Sequence, residues 1–66
     1  MRLIVNGDPQ EFPGPLTLEE LLERLELSQP HIAVAVNMEV IPRGRFSQVE
    51  LQEGDKLEII RAVGGG

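Results

Sequence analysis

The sequence contains no cysteine, tryptophan or tyrosine, only two phenylalanines, and a single histidine and a single lysine. Without cysteine no disulfide can form, and one histidine cannot build a zinc site, so the two usual staples of very small domains are excluded. Six basic residues against eleven acidic ones leave a formal charge of −5. That balance argues against nucleic acid, because phosphate binding is driven by Lys and Arg, and a partner with a basic surface is the natural complement. Long hydrophobic runs are also missing. The longest, Ile32 to Val36, is five residues, far short of the roughly 20 that a membrane span needs. No basic segment followed by a long apolar stretch opens the chain. These absences lead us to expect a cytoplasmic protein that engages neither membrane nor nucleic acid.

The chain has 66 residues, 41% of them hydrophobic. One small domain is expected, with a thin core and no room for a deep enclosed active site. From Met1 to Asn6, Met1, Leu3 and Val5 share one phase of a period-two pattern, as in a half-buried strand. Gly7, Asp8 and Pro9 should end that strand, and Gln10 to Phe12 could return as the second arm of a hairpin. Thr17 and Glu20 have the spacing of a capping box, with Leu16 and Leu21 at the positions of a hydrophobic staple. A helix from Leu18 to about Leu25 follows. It carries Leu18, Leu21, Leu22 and Leu25 on one stripe and its glutamates on the other face.

Beyond Pro30, His31 to Asn37 is apolar on both phases, the pattern of a central strand covered on both sides. Val40 and Ile41 could form a short antiparallel arm. Arg43 to Glu53 has no period, although Phe46, Val49 and Leu51 could pin it to the core. After a turn at Gly54 and Asp55, Lys56 to Arg61 alternates again. A hairpin at each end of one amphipathic helix, with the first and last strands adjacent in the middle, describes an α+β, β-grasp (ubiquitin-like) fold. The expectation is a mixed sheet of four or five strands, with the helix on one face, a domain over residues 1–62, and a flexible Gly-rich tail over 63–66. The other sheet face has no helix to cover it, so Ile4 and Ile60 could be open to a partner.

Enzyme constellations are missing. His31 has no second ligand or catalytic neighbour, nothing like a nucleophile elbow surrounds Ser47, and Gly7, Gly14, Gly44 and Gly54 are single turn residues. No metal site and no bound cofactor are expected. The end of the sequence differs, for Val63 is followed by three glycines. A glycine carboxylate is the least hindered acyl group a protein can offer, since no Cβ shields the carbonyl. At pH 7 it is an anion, able to attack the α-phosphate of ATP but inert as an acyl acceptor until activated. Four extended residues reach roughly 13 Å, enough to enter a channel too narrow for a body with a radius of gyration of about 11 Å. Arg61, Ile60 and nearby acidic residues are candidates for the docking surface such a tail would need.

Taken in order, Val5-Asn6-Gly7, Thr17-Leu18, Ala35-Val36-Asn37, Val40-Ile41-Pro42-Arg43, Gly54-Asp55 and Val63-Gly64-Gly65-Gly66 resemble the thiamine-biosynthesis sulfur carrier (ThiS) family of ubiquitin-like proteins over essentially the whole chain. Phe46 stands where that family often has Trp. The resemblance implies a protein cosubstrate rather than a catalyst. Gly66 would be adenylated by a ubiquitin-activating-like adenylyltransferase that uses ATP, then converted to a thiocarboxylate by a sulfur-donor system drawing on cysteine. The sulfur would pass to thiazole synthase. Gly65, Gly64 and Val63 would form the rest of the inserted tail. Three alternatives stay open: the small subunit of molybdopterin synthase, which tends to carry Phe-Pro-Pro-Val where this chain has Arg61-Ala62-Val63; a ubiquitin-like modifier; and a non-catalytic β-grasp interaction domain.

Overall fold

A computed structural model describes residues 1–28 and 30–61. Strands β1 (Arg2–Val5) and β2 (Asp8–Glu11) precede helix α1 (Leu18–Arg24). Strands β3 (Ile32–Val36) and β4 (Glu39–Ile41), a 3-10 segment (Arg43–Gln48) and strand β5 (Lys56–Arg61) follow. The strands form one sheet in the order β2-β1-β5-β3-β4. Strands β1 and β5 are parallel, while β2 on β1, β3 on β5 and β4 on β3 are antiparallel. The first and last strands thus lie side by side in the middle, and the β-grasp expectation holds.

Alternation along the strands decides what reaches the core. Leu3 and Val5 of β1, Ile32 and Val34 of β3, and Leu57 and Ile59 of β5 all point to the helix side and are buried. There they meet Leu18, Leu21 and Leu22 of α1, and each such side chain removed from water contributes about 1.5–3 kcal/mol. The helix begins as the local signal predicts. The Glu20 amide donates to Thr17 Oγ1 at 3.2 Å and the Thr17 amide to Glu20 Oε1 at 2.8 Å, closing the capping box. Leu16 and Leu21, the staple pair, are both in the core. At the other end Glu26 adopts φ 58, and the Leu27 and Glu26 amides donate back to the Leu22 and Glu23 carbonyls at 2.8 and 3.1 Å. That is a Schellman ending with glutamate in the place glycine usually takes.

The connection from β4 to β5 is held as expected. Phe46 and Leu51 are buried, and Val49 packs against the core. The Leu18 amide donates to the Val49 carbonyl and the Leu51 amide to the Leu16 carbonyl, both at 2.9 Å, which ties the entry of the helix to this segment. Among the described residues no helix is long and apolar enough to cross a membrane.

Two expectations are corrected. Asp8 and Pro9 do not end the first hairpin but belong to β2, with Val5 opposite Asp8 and Ile4 opposite Pro9. The turn is only Asn6-Gly7, at φ 51 and 83, which matches the twist of the flanking strands. Proline is tolerated because β2 is an edge strand and Pro9 stands opposite Ile4, whose amide bonds β5, so the missing N–H would face the open edge and no ladder bond is lost. Strand β3 is not covered on both sides. It lies between β5 and β4, with Ala33 exposed and Ala35 half-buried on the face away from α1. Central position belongs to β5.

Candidate functional site

The tail residues Val63, Gly64, Gly65 and Gly66, and with them the expected boundary between 62 and 63, lie outside the described residues. The structure does describe the strand from which they depart and the surface beside it. Strand β5 is bonded on both edges, to β1 and to β3. Its last residue, Arg61, is exposed opposite Ile32. The strand leading to the tail is paired with β3 up to its last residue, while its pairing with β1 covers only Lys56 and Leu57.

Ile4 and Ile60 both point to the face away from α1, as expected. Ile60 is 62% exposed and Ile4 half-buried. They are not adjacent. Ile4 lies beside Lys56, four residues earlier on β5 than Ile60, and at a strand's rise that is roughly 13 Å. Arg61 belongs to the opposite phase, so the structure brings it to the end of the strand but not onto the face that carries Ile60.

The alanines of β3 shape the open face. Ala33 stands opposite Ile60 and Ala35 opposite both Glu58 and Val40. Their short side chains leave a shallow depression lined by Ala33, Ala35, Val40, Glu58 and Ile60. Toward the hairpin turns Ile4, Met38, Lys56 and Glu58 line a second one. Sequence reasoning missed Met38 and Val40, which are 91% and 73% exposed. Met38 also has φ 71, an unfavourable backbone for a residue with a side chain. Its signal was the two-residue spacing between Val36 and Glu39, where a turn of the Asn6-Gly7 kind sits with Met in place of Gly.

Two asparagines hold β5 by their side chains. Where β1 turns away at Asn6, the Ile59 amide donates to Asn6 Oδ1 at 2.8 Å and Asn6 Nδ2 donates to the Ile59 carbonyl at 3.3 Å. At the start of β5 the Lys56 amide donates to Asn37 Oδ1 at 3.1 Å, and Asn37 Nδ2 donates to Asp55 Oδ1 at 3.0 Å. Both asparagines sit at positive φ in hairpin turns. The alternation pattern places them at strand ends, in Met1 to Asn6 and His31 to Asn37, and carries no signal for this task.

No constellation for acid–base or nucleophilic chemistry assembles around these groups. His31 is exposed at the turn before β3, and Ser47 is exposed in the 3-10 segment. Among the described residues no group of three or more His, Cys, Asp or Glu side chains is placed to hold a metal ion. What the geometry offers is a strand end and a partly apolar sheet face beside it.

Comparison with known proteins gives these features a context. The ThiS family model matches residues 3–66. The sulfur carrier protein ThiS of Escherichia coli (strain K12) is 30% identical over 66 residues, the whole of both chains. Thiazole synthase of Paramagnetospirillum magneticum is 39% identical over the whole of this chain, which spans only 20% of that protein's length. Among solved structures, the crystal structure of the thiamine biosynthesis protein ThiS from Geobacter metallireducens covers both chains completely with a TM-score of 0.85 and 36% identity.

Proposed function

The chain belongs to the ThiS family, and from that premise we propose that it carries sulfur for assembly of the thiamine thiazole ring as a thiocarboxylate on Gly66. A carboxylate oxygen of Gly66 attacks the α-phosphorus of ATP in the active site of a partner adenylyltransferase, and pyrophosphate leaves. The acyl-adenylate then accepts sulfur from a donor system, AMP departs, and the thiocarboxylate passes its sulfur to thiazole synthase. Each step needs an accessible carbonyl, and Gly66 has no Cβ to obstruct attack. The protein is a cosubstrate in this scheme, with the chemistry performed by its partners and ATP bound by the adenylyltransferase.

One observation carries the proposal: a central strand, paired with β3 through to Arg61, ends five residues before Gly66. Residues 62–66 fully extended reach about 17 Å. Such a segment can enter a buried site while the sheet stays outside, and Val63, Gly64 and Gly65 would line the partner's channel. Ordering them costs about 1–2 kcal/mol each. Docking contacts must offset that, and Ile60, Ile4, Met38 and Val40 are the exposed or half-exposed apolar groups available, with Arg61 at the tail's root. Relatives named as thiazole synthase and as sulfur carrier protein ThiS support the thiazole route over the molybdopterin one.

Incubation with the adenylyltransferase, ATP and a sulfur source should raise the intact mass by one sulfur in place of one oxygen. Deleting Gly66 should abolish that change while leaving the circular dichroism spectrum and the unfolding midpoint intact. An unchanged mass for the full chain would sink the carrier reading.

A further inference from the structure

The clamp on Ile59 does more than finish a hairpin. Up to that level β5 is bonded to the β1 backbone, with the Ile4 amide on the Asp55 carbonyl at 2.9 Å and the Asn6 amide on the Leu57 carbonyl at 2.8 Å. A continuing β1 would next bond the amide and carbonyl of Ile59. Instead the backbone turns away at φ 51, and the Asn6 side-chain amide, which carries one acceptor and two donors, takes both places. Aspartate or glycine would suit such a turn nearly as well. Neither offers a donor and an acceptor at amide spacing. The clamp grips β5 two residues before Arg61, while β1 has already left the edge beside Ile60 and Arg61.

We propose that Asn6 is a positioning residue for the carrier reaction: by bonding both polar groups of Ile59 it fixes the root of the tail relative to the sheet face that docks. This deepens the carrier reading and rests on it. A partner that grips the open face and threads the tail needs the two in one fixed relation. If the end of β5 frays, that relation must be restored at each encounter. The loss then falls on formation of the productive complex rather than on the chemical step, so KM rises and kcat does not.

The test compares Asn6→Gly, Asn6→Asp and Thr17→Ala in the full chain. Glycine keeps the positive φ and removes the clamp. Aspartate keeps the turn preference and the acceptor, but sets a carboxylate oxygen against the Ile59 carbonyl. Thr17→Ala weakens the fold from the helix side by a similar amount and leaves the clamp alone. With the adenylyltransferase and ATP, both Asn6 variants should show about a tenfold rise in KM for the carrier with kcat within about twofold of wild type. Thr17→Ala should leave both constants within about twofold. Native-state amide exchange at Ile59 should quicken by about tenfold or more in Asn6→Gly, which removes the acceptor, and not in Thr17→Ala. Equal KM values across the set, or equal Ile59 protection in Asn6→Gly and wild type, would overturn the proposal. If wild type itself is not adenylated the carrier reading fails, and exchange at Ile59 alone still decides whether Asn6 holds the strand end.

Discussion

The two faces of the sheet are made from the same strands, yet physical chemistry uses them differently. On the helix side Leu3, Val34 and Leu57 are at most 1% exposed. On the other side the same strands present Ile4, Ala33, Glu58 and Ile60, and no helix among the described residues covers them. One face holds the fold together, and the other carries little of that duty. The difference teaches that a chain this short can maintain only one core, so any second apolar surface must find its cover elsewhere or bear exposure.

That contrast can be broken most forcefully from inside. Leu21→Ala removes a fully buried side chain and should cost about 2–5 kcal/mol. Urea unfolding at fixed pH will show it as a fall in midpoint, and a loss below about 1 kcal/mol would mean that the helix is not clamped to the sheet as described. Thr17→Ala removes the hydroxyl that caps α1 and should cost about 1 kcal/mol, a loss readable in the same experiment. A smaller gain is expected from Met38→Gly. Relief of the backbone at φ 71 is offset in part by the freedom glycine adds to the unfolded chain, leaving about 0.5 kcal/mol of stabilisation. If Met38 contacts a partner, the same variant will bind that partner less well, so stability and docking should move in opposite directions. Smallest in stability is Ile60→Asp, with a change within about 0.5 kcal/mol. It sharpens the comparison, because its adenylation kcat/KM should nonetheless fall severalfold. Unchanged kinetics would remove the open face from the docking scheme.

Local chemistry was the most legible part of the sequence. The capping box at Thr17 and Glu20 and the leucine stripe of α1 each depend on residues a few positions apart, and both form as read. Strand β3 was misread for a definable reason. Alanine scores as apolar in a periodicity count, but Ala33 and Ala35 bring so little surface that they sit beside solvent without much cost, and their phase mimicked a covered one. Pro9 was read as a terminator because its place on an edge strand depends on sheet order, which no local pattern contains. The Schellman ending at Glu26 carried no glycine to announce it. The Asn6 and Asn37 clamps join residues 53 and 19 positions apart, so they become visible only once the strands are paired. As for the site, composition pointed to the tail and alternation to Ile4 and Ile60, whereas Met38 and Val40 required knowing where the second hairpin folds back.

The position of β5 has a consequence in time. The strand that joins the two hairpins is the last of those among the described residues, and its pairing with β1 joins residues about fifty positions apart. Each hairpin can zip locally within microseconds, but the halves cannot be joined until that long loop closes, and non-local pairing of this kind is the slow event in small domains. During synthesis the sheet is therefore completed only when β5 has emerged. A half-made chain would hold two hairpins and a helix with nothing to unite them.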